Sequence, residues 1–169
     1  MKLGEQPLVS LMSRHYVSEL VLIIAAAVLF QVARNDLRHY KIQNGSILLL
    51  AGLFFAHALL SGRWTGAHWN IAFALFMFLV MFMINSFNMM GGGDVKLLSV
   101  AFLWVGIDCA LVFALLLLLF SSIHAVASKL GWANAQLAEN DDRKRIPFAP
   151  SIAAALTGVF MLGCLGPMS

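Results

Sequence analysis

Long apolar stretches broken by short polar ones set the pattern of this chain. Apolar runs fall at about 17–33, 46–61, 69–87, 95–106, 108–127 and 148–165, and most charged side chains lie between them or at their ends. A helix crossing a hydrocarbon core of about 30 Å needs roughly 20 apolar residues, so each run is long enough, or nearly so, to span. The stretch Val95 to Ala127 reads at first as one element. Its roughly 33 residues would give a helix of about 50 Å, far more than the core, so a break is expected at Gly106-Ile107-Asp108. The pattern therefore predicts an all-α fold, a polytopic membrane helical bundle of six transmembrane helices. Residues 1–16 read as an N-terminal surface segment rather than a cleaved signal, and 17–169 as the membrane-embedded domain.

Composition agrees. Of 169 residues, 61% are hydrophobic and 11% charged, and the mean hydropathy is +0.86, too little polar surface to coat a soluble globule of this size. The formal net charge of +3 would elsewhere hint at nucleic acid. Here the basic residues cluster in loops beside apolar runs, as the positive-inside rule expects, so no nucleic-acid partner is inferred and the bilayer is the surrounding phase. With six spans, Arg34, Arg38, Lys41, Lys96, Lys129, Arg143, Lys144 and Arg145 share one side, against Lys2, Arg14 and Arg63. With five spans this asymmetry is lost. The six-span reading puts the loops at 34–45, 88–96 and 128–147 in the cytoplasm and both termini outside. Cys109 and Cys164 lie in apolar runs without a C-x-x-C spacing and read as buried thiols packing against helices.

Two carboxylates stand out at the cytoplasmic ends of the runs. Asp94 follows three glycines in Gly91-Gly92-Gly93-Asp94-Val95-Lys96, and Asp36 closes the first run in Arg34-Asn35-Asp36-Leu37-Arg38. Val95 to Gly106 makes only about 18 Å of helix, which sinks Asp94 below the interface, where irregular backbone is tolerated in a wet cavity. An ionisable group at such depth usually marks function. Two carboxyl groups sharing a proton can work as acid and base: the charged one deprotonates a water, and the protonated one donates to a carbonyl oxygen. That predicts an aspartic protease at the membrane surface. Asp94 at a helix amino end is expected to hold the charge and Asp36 at a helix carboxyl end the proton. Glycines at 91 and 93 leave room for a substrate backbone and permit dihedrals closed to other residues.

Plainer alternatives remain at each position. The glycines could be a simple connector with Asp94 as an N-cap, Asp36 could pair with Arg34 or Arg38, and Lys96 could be a counter-charge or a positive-inside residue. His57 and His124 have no second ligand at i+3 or i+4, so no metal site is expected, and no cofactor is expected either. Ser121 and Ser122 read as bonding along their own helix, and Asp108 as lying in a short outer turn.

At these residues the chain resembles the type IV prepilin peptidases, aspartic proteases with a Gly-x-Gly-Asp motif. Asp36-Leu37-Arg38 through Ile42 and Asn44 is similar to the family's first motif, Gly91 to Leu97 to the second, and Ile146-Pro147-Phe148-Ala149-Pro150-Ser151-Ile152 to the segment opening the last span. Gln43 stands where the family often has Pro, and Ala149 where it often has Gly. The resemblance implies that 17–169 is a peptidase domain in a bacterial inner membrane, with Asp36 and Asp94 catalytic. It implies supporting or substrate-binding roles for Gly91, Gly93, Lys96, Arg38 and Asn44. The implied partner is a prepilin or pseudopilin precursor whose leader is cut on the cytoplasmic side. Without the paired C-x-x-C motifs of longer members, the chain is similar to the minimal peptidases of tight-adherence (Flp-type) pilus systems, and N-methylation is not expected. The alternative of another class is a small ion- or proton-coupled transporter or pilus-assembly subunit, in which an intramembrane Asp and a broken helix would bind a cation.

Overall fold

The computed structural model describes residues 6–39, 42–61, 64–87, 90–130 and 148–164. The polar loop with Glu139, Asp141, Asp142 and Arg143-Lys144-Arg145 lies outside the described residues, as do Lys41 and the opening Ile146-Pro147 of the last motif. Six helices follow one another: α1 Gln6–His39, α2 Asn44–Leu60, α3 Trp64–Ser86, α4 Gly92–Val105, α5 Ala110–Lys129 and α6 Ala149–Met161, with no strand among the described residues. The fold is all-helical. Three helices carry stretches long and apolar enough to cross a membrane, Tyr16–His39, Gly66–Ser86 and Ala110–Lys129. The predicted runs and the helices agree closely after the first, where α1 continues back to Gln6 without a break.

The two shortest helices, α4 and α6, sit inside the others. Eight of the 14 residues of α4 are buried, from Val95 to Val105, and so are seven of the 13 of α6. In α5 only Phe113 is buried. A helix apolar on all sides belongs in a core, and α4 packs against α3, α2, α6 and α5, while α6 packs against α1, α5 and α4. Apolar side chains of the outer helices, such as Phe30, Phe76 and Leu118, remain exposed toward what the composition identifies as lipid. Trp104 is the hinge-pin of the interior: its indole N–H donates to the Leu50 carbonyl at 3.1 Å, and its ring lies 5.7 Å from Phe54 and 5.2 Å from Phe160. An indole N–H left without a partner in such a core would cost a few kcal/mol.

The break between α4 and α5 falls at the expected place, with a turn over 106–109 and Asp108 exposed in it. Its glycine is more constrained than an outer turn suggests. Gly106 has φ +62°, and a Cβ there would lie 2.5 Å from Asn70 Oδ1. Asn70 is held in place because its amide donates to the Leu103 carbonyl at 3.3 Å, satisfying an acceptor that the helix end leaves open. Gly106→Ala is therefore expected to lower stability by about 2 kcal/mol or more, from backbone strain and overpacking together. Thermal unfolding in detergent, compared with Gly163→Ala, where nothing lies within 4 Å of the added Cβ although φ is +63°, separates the packing contribution from the backbone one.

The cysteines correct the sequence reading. Cys109 and Cys164 are not free thiols but form a disulfide across 55 positions, with Cα atoms 6.0 Å apart. They meet because α4 and α6 both end on the same side: the turn after Val105 carries Cys109, and the residues after Met161 carry Cys164. Spacing along the chain gives no hint of this.

Candidate active site

Asp36 lies on the buried stripe of α1. Val21, Ala25, Val28, Leu29 and Val32 all face inward at helical spacing, and Asp36, four residues past Val32, continues the stripe. Arg34 and Arg38 point elsewhere and are exposed. The Asp36 carboxylate, 5% exposed, finds its partner on α6: Oδ2 accepts the backbone N–H of Ala149 at 3.1 Å. This bond is a cap supplied in trans. Ala149 is the first residue of α6, whose N-cap Phe148 makes no side-chain capping bond and whose second position is Pro150, with no N–H to give. A first-turn donor that the helix cannot use is satisfied by a carboxylate 113 positions earlier.

Asp94 enters from the other motif. Helix α4 starts at Gly92 with Gly91 as N-cap, so Asp94 sits in the first turn and is not itself the cap. The glycine run works through space, not through unusual dihedrals. Gly91 has φ −70°, and among the described residues the positive-φ glycines are Gly106 and Gly163. A Cβ at Gly91 would lie 3.0 Å from Asp94 Oδ2, and one at Gly93 would lie 3.3 Å from Ile42 Cβ, whereas Gly92 has nothing within 4 Å. The first and second motif segments thus touch at Gly93 and Ile42. They are joined again where Lys96 Nζ donates to Asn44 Oδ1 at 3.2 Å, which gives Lys96 a specific partner beyond its charge. Arg38 is exposed at the end of α1, beside this region in sequence but off its buried face.

The contacts of Gly93 with Ile42 and of Lys96 with Asn44 draw the segment that carries Asp94 to the one that follows Asp36, and Asp94 lies within electrostatic range of Asp36. The expected helix-dipole contrast between them is absent: Asp94 has the amino end of α4, and Asp36, although at the carboxyl end of α1, has the amino end of α6. The pair is best treated as one titrating unit. His124, dismissed in the sequence as a lone histidine, also reaches this end of the bundle. Its Nδ1 is 3.5 Å from Ser151 Oγ, in the turn of α6 that carries Ala149, the partner of Asp36. Ser121 and Ser122 bond the Leu118 carbonyl of their own helix, at 3.1 and 2.7 Å, as expected. His57 packs 5.6 Å from Trp104 near the end of α2, away from the carboxylates.

No match is found among curated proteins or among solved structures. The comparison with protein families does give one, over a segment that takes in Asp36, Asp94 and His124 and stops before α6. Residues 23–128, well over half of the chain, match the model of the type IV leader peptidase family, and the chain belongs to that family.

Proposed function

We propose that this peptidase is an aspartic endopeptidase of the Gly-x-Gly-Asp kind, which removes the short basic leader of Flp-type prepilin or pseudopilin precursors at the cytoplasmic face of a bacterial inner membrane. The observation that carries the reading is that the two motif segments, far apart in sequence, pack together, Ile42 against Gly93 and Asn44 bonded to Lys96, with Asp36 just before the one and Asp94 within the other. In this mechanism the ionised member of the pair takes a proton from water. The resulting hydroxide adds to the scissile carbonyl carbon while the protonated member gives its proton to the carbonyl oxygen. The gem-diol then collapses: the carboxyl group that had acted as base gives its proton to the leaving amide nitrogen, a gem-diol hydroxyl returns its proton to the other carboxylate as the product carboxyl group forms, and the pair is again singly protonated. Gly91, Gly93, Lys96, Arg38 and Asn44 are assigned supporting roles: the glycines set the approach of the two motif segments, the Lys96–Asn44 bond ties them, and Arg38 lies at their rim. The test is incubation of the purified protein with a prepilin-like precursor, read as loss of the leader by mass spectrometry. An intact precursor under conditions where the protein remains folded would overturn the reading. Membership in a leader peptidase family favours a peptidase over an ion- or proton-coupled transporter or a pilus-assembly subunit.

The orientation and the six-span count belong to the same proposal. The split of eight basic residues against three supports a cytoplasmic site. The Cys109–Cys164 disulfide supports it independently, because it lies at the end of α4 and α6 opposite Asp94 and Ala149, and disulfides persist in oxidising compartments such as the periplasm. In a background lacking both cysteines, Phe87→Cys is expected to label with impermeant maleimide only after the cytoplasmic side is opened, and Ile107→Cys in intact spheroplasts. Both native side chains are exposed, at 74% and 66%. Labelling of both from one side would overturn the topology.

A further inference from the structure

Helix α5 is the least buried of the six, and its polar side chains should have a local use. Three of them do, since Ser121, Ser122 and Ser128 bond their own helix. His124 does not follow them. It is half-buried, faces α6, and its Nδ1 contacts the hydroxyl of Ser151, a side chain 3% exposed. Ser151 lies two residues after Ala149, in the same first turn of α6, and its own N–H is spent on the Phe148 carbonyl at 3.1 Å. The turn that presents the Ala149 N–H to Asp36 is therefore held from behind by His124. A polar group placed on a largely lipid-facing helix carries a desolvation cost that such a contact offsets.

We infer that His124 is a positioning residue for Asp36: through Ser151 it fixes the amino end of α6, so that the Ala149 N–H holds the Asp36 carboxylate in register with Asp94. This rests on the aspartic-peptidase reading above. His124 touches neither substrate nor the second carboxylate in this scheme. Its loss misplaces Asp36 without altering the surface a precursor binds.

The consequence is a split in the kinetics. With a prepilin-like precursor, His124→Leu and Ser151→Ala are each expected to lower kcat by about tenfold to a hundredfold, the scale of a sub-ångström to ångström misplacement, while KM stays unchanged. The two act through one contact, so the double variant should fall no further than the worse single one. His124→Asn sets an amide atom near the position of Nδ1 and should restore most of the rate. Multiplicative losses in the double variant, a raised KM, or a full rate for His124→Leu would overturn the inference. Hydrogen exchange of the peptide spanning 148–152 gives a readout independent of cleavage: the Ala149 amide should exchange at least about tenfold faster in His124→Leu and Ser151→Ala, and unchanged protection would sink the idea. If Asp36→Asn cleaves normally, the aspartic reading fails, and the exchange measurement still decides whether His124 holds α6. If His124→Leu does not fold, Ser151→Ala, which removes a single oxygen, carries the test.

Discussion

Leader removal is expected to stop when either Asp36 or Asp94 becomes Asn, with losses of at least about a hundredfold and up to about ten thousandfold, the range that positioned acid–base groups contribute. Asparagine keeps the shape of the side chain but can neither take a proton from water nor give one to a carbonyl oxygen. At position 36 the amide oxygen can still accept the Ala149 N–H, which bonds Asp36 at 3.1 Å in the native protein, so the cap of α6 is retained and the variant should fold. At position 94 the side chain keeps its place in the first turn of α4, beside Gly91. Because the two groups work as one unit, Asp36→Asn/Asp94→Asn should be no worse than the more damaged single variant. The measurement is the rate of leader loss in detergent at matched amounts of folded protein, judged by thermal unfolding. Wild-type processing by either single variant would show that the pairing is not the machinery.

What the sequence made legible follows from periodicity. Five of the six apolar runs coincide with helices to within a few residues, and the break at Gly106 follows from helix length alone. The depth of Asp36 was not readable, since the run before it is apolar on almost every side and the inward stripe that passes through Asp36 shows only in the packed helix. Contacts between segments far apart in the chain were not readable. The bond from Ala149 to Asp36 spans 113 positions, the disulfide spans 55, and neither leaves a local signal. The roles of the glycines were exchanged for the same reason. Gly106 looked like a tolerant outer turn until Asn70, from α3, filled the space beside it. The glycines before Asp94, read as leaving room for a substrate backbone and as permitting unusual dihedrals, do not have positive φ, and Gly91 and Gly93 have close neighbours. His124 is the clearest miss. A histidine without a partner at i+3 or i+4 says nothing about a serine on another helix.

The largest effect away from the carboxylates is expected at Gly93, and the structure separates it from its neighbours. A Cβ at position 93 would stand 3.3 Å from Ile42 Cβ, with Cγ1 and Cδ1 at 3.6 and 3.5 Å. The nearest of these atoms is the branch point of Ile42, which cannot swing aside as a side-chain tip would. Valine adds two methyl groups at that contact, an overpacking worth about 1–3 kcal/mol, and the relief available is to part the segment carrying Asp94 from the segment that follows Asp36. A shift of about 1 Å between reacting groups costs on the order of a hundredfold, so Gly93→Val should cut cleavage by at least that at equal amounts of folded protein. Gly91→Ala should have a smaller effect: its Cβ meets Asp94 Oδ2 at 3.0 Å, the free end of a side chain, which yields by a few tenths of an ångström. Gly92→Ala meets nothing within 4 Å and should cleave at the wild-type rate. Of the three glycines, position 92 is therefore the one expected to accept a side chain, since an added Cβ there enters open space. Equal rates for Gly92→Ala and Gly93→Val would mean that the approach of the two segments does not set the distance between the carboxylates.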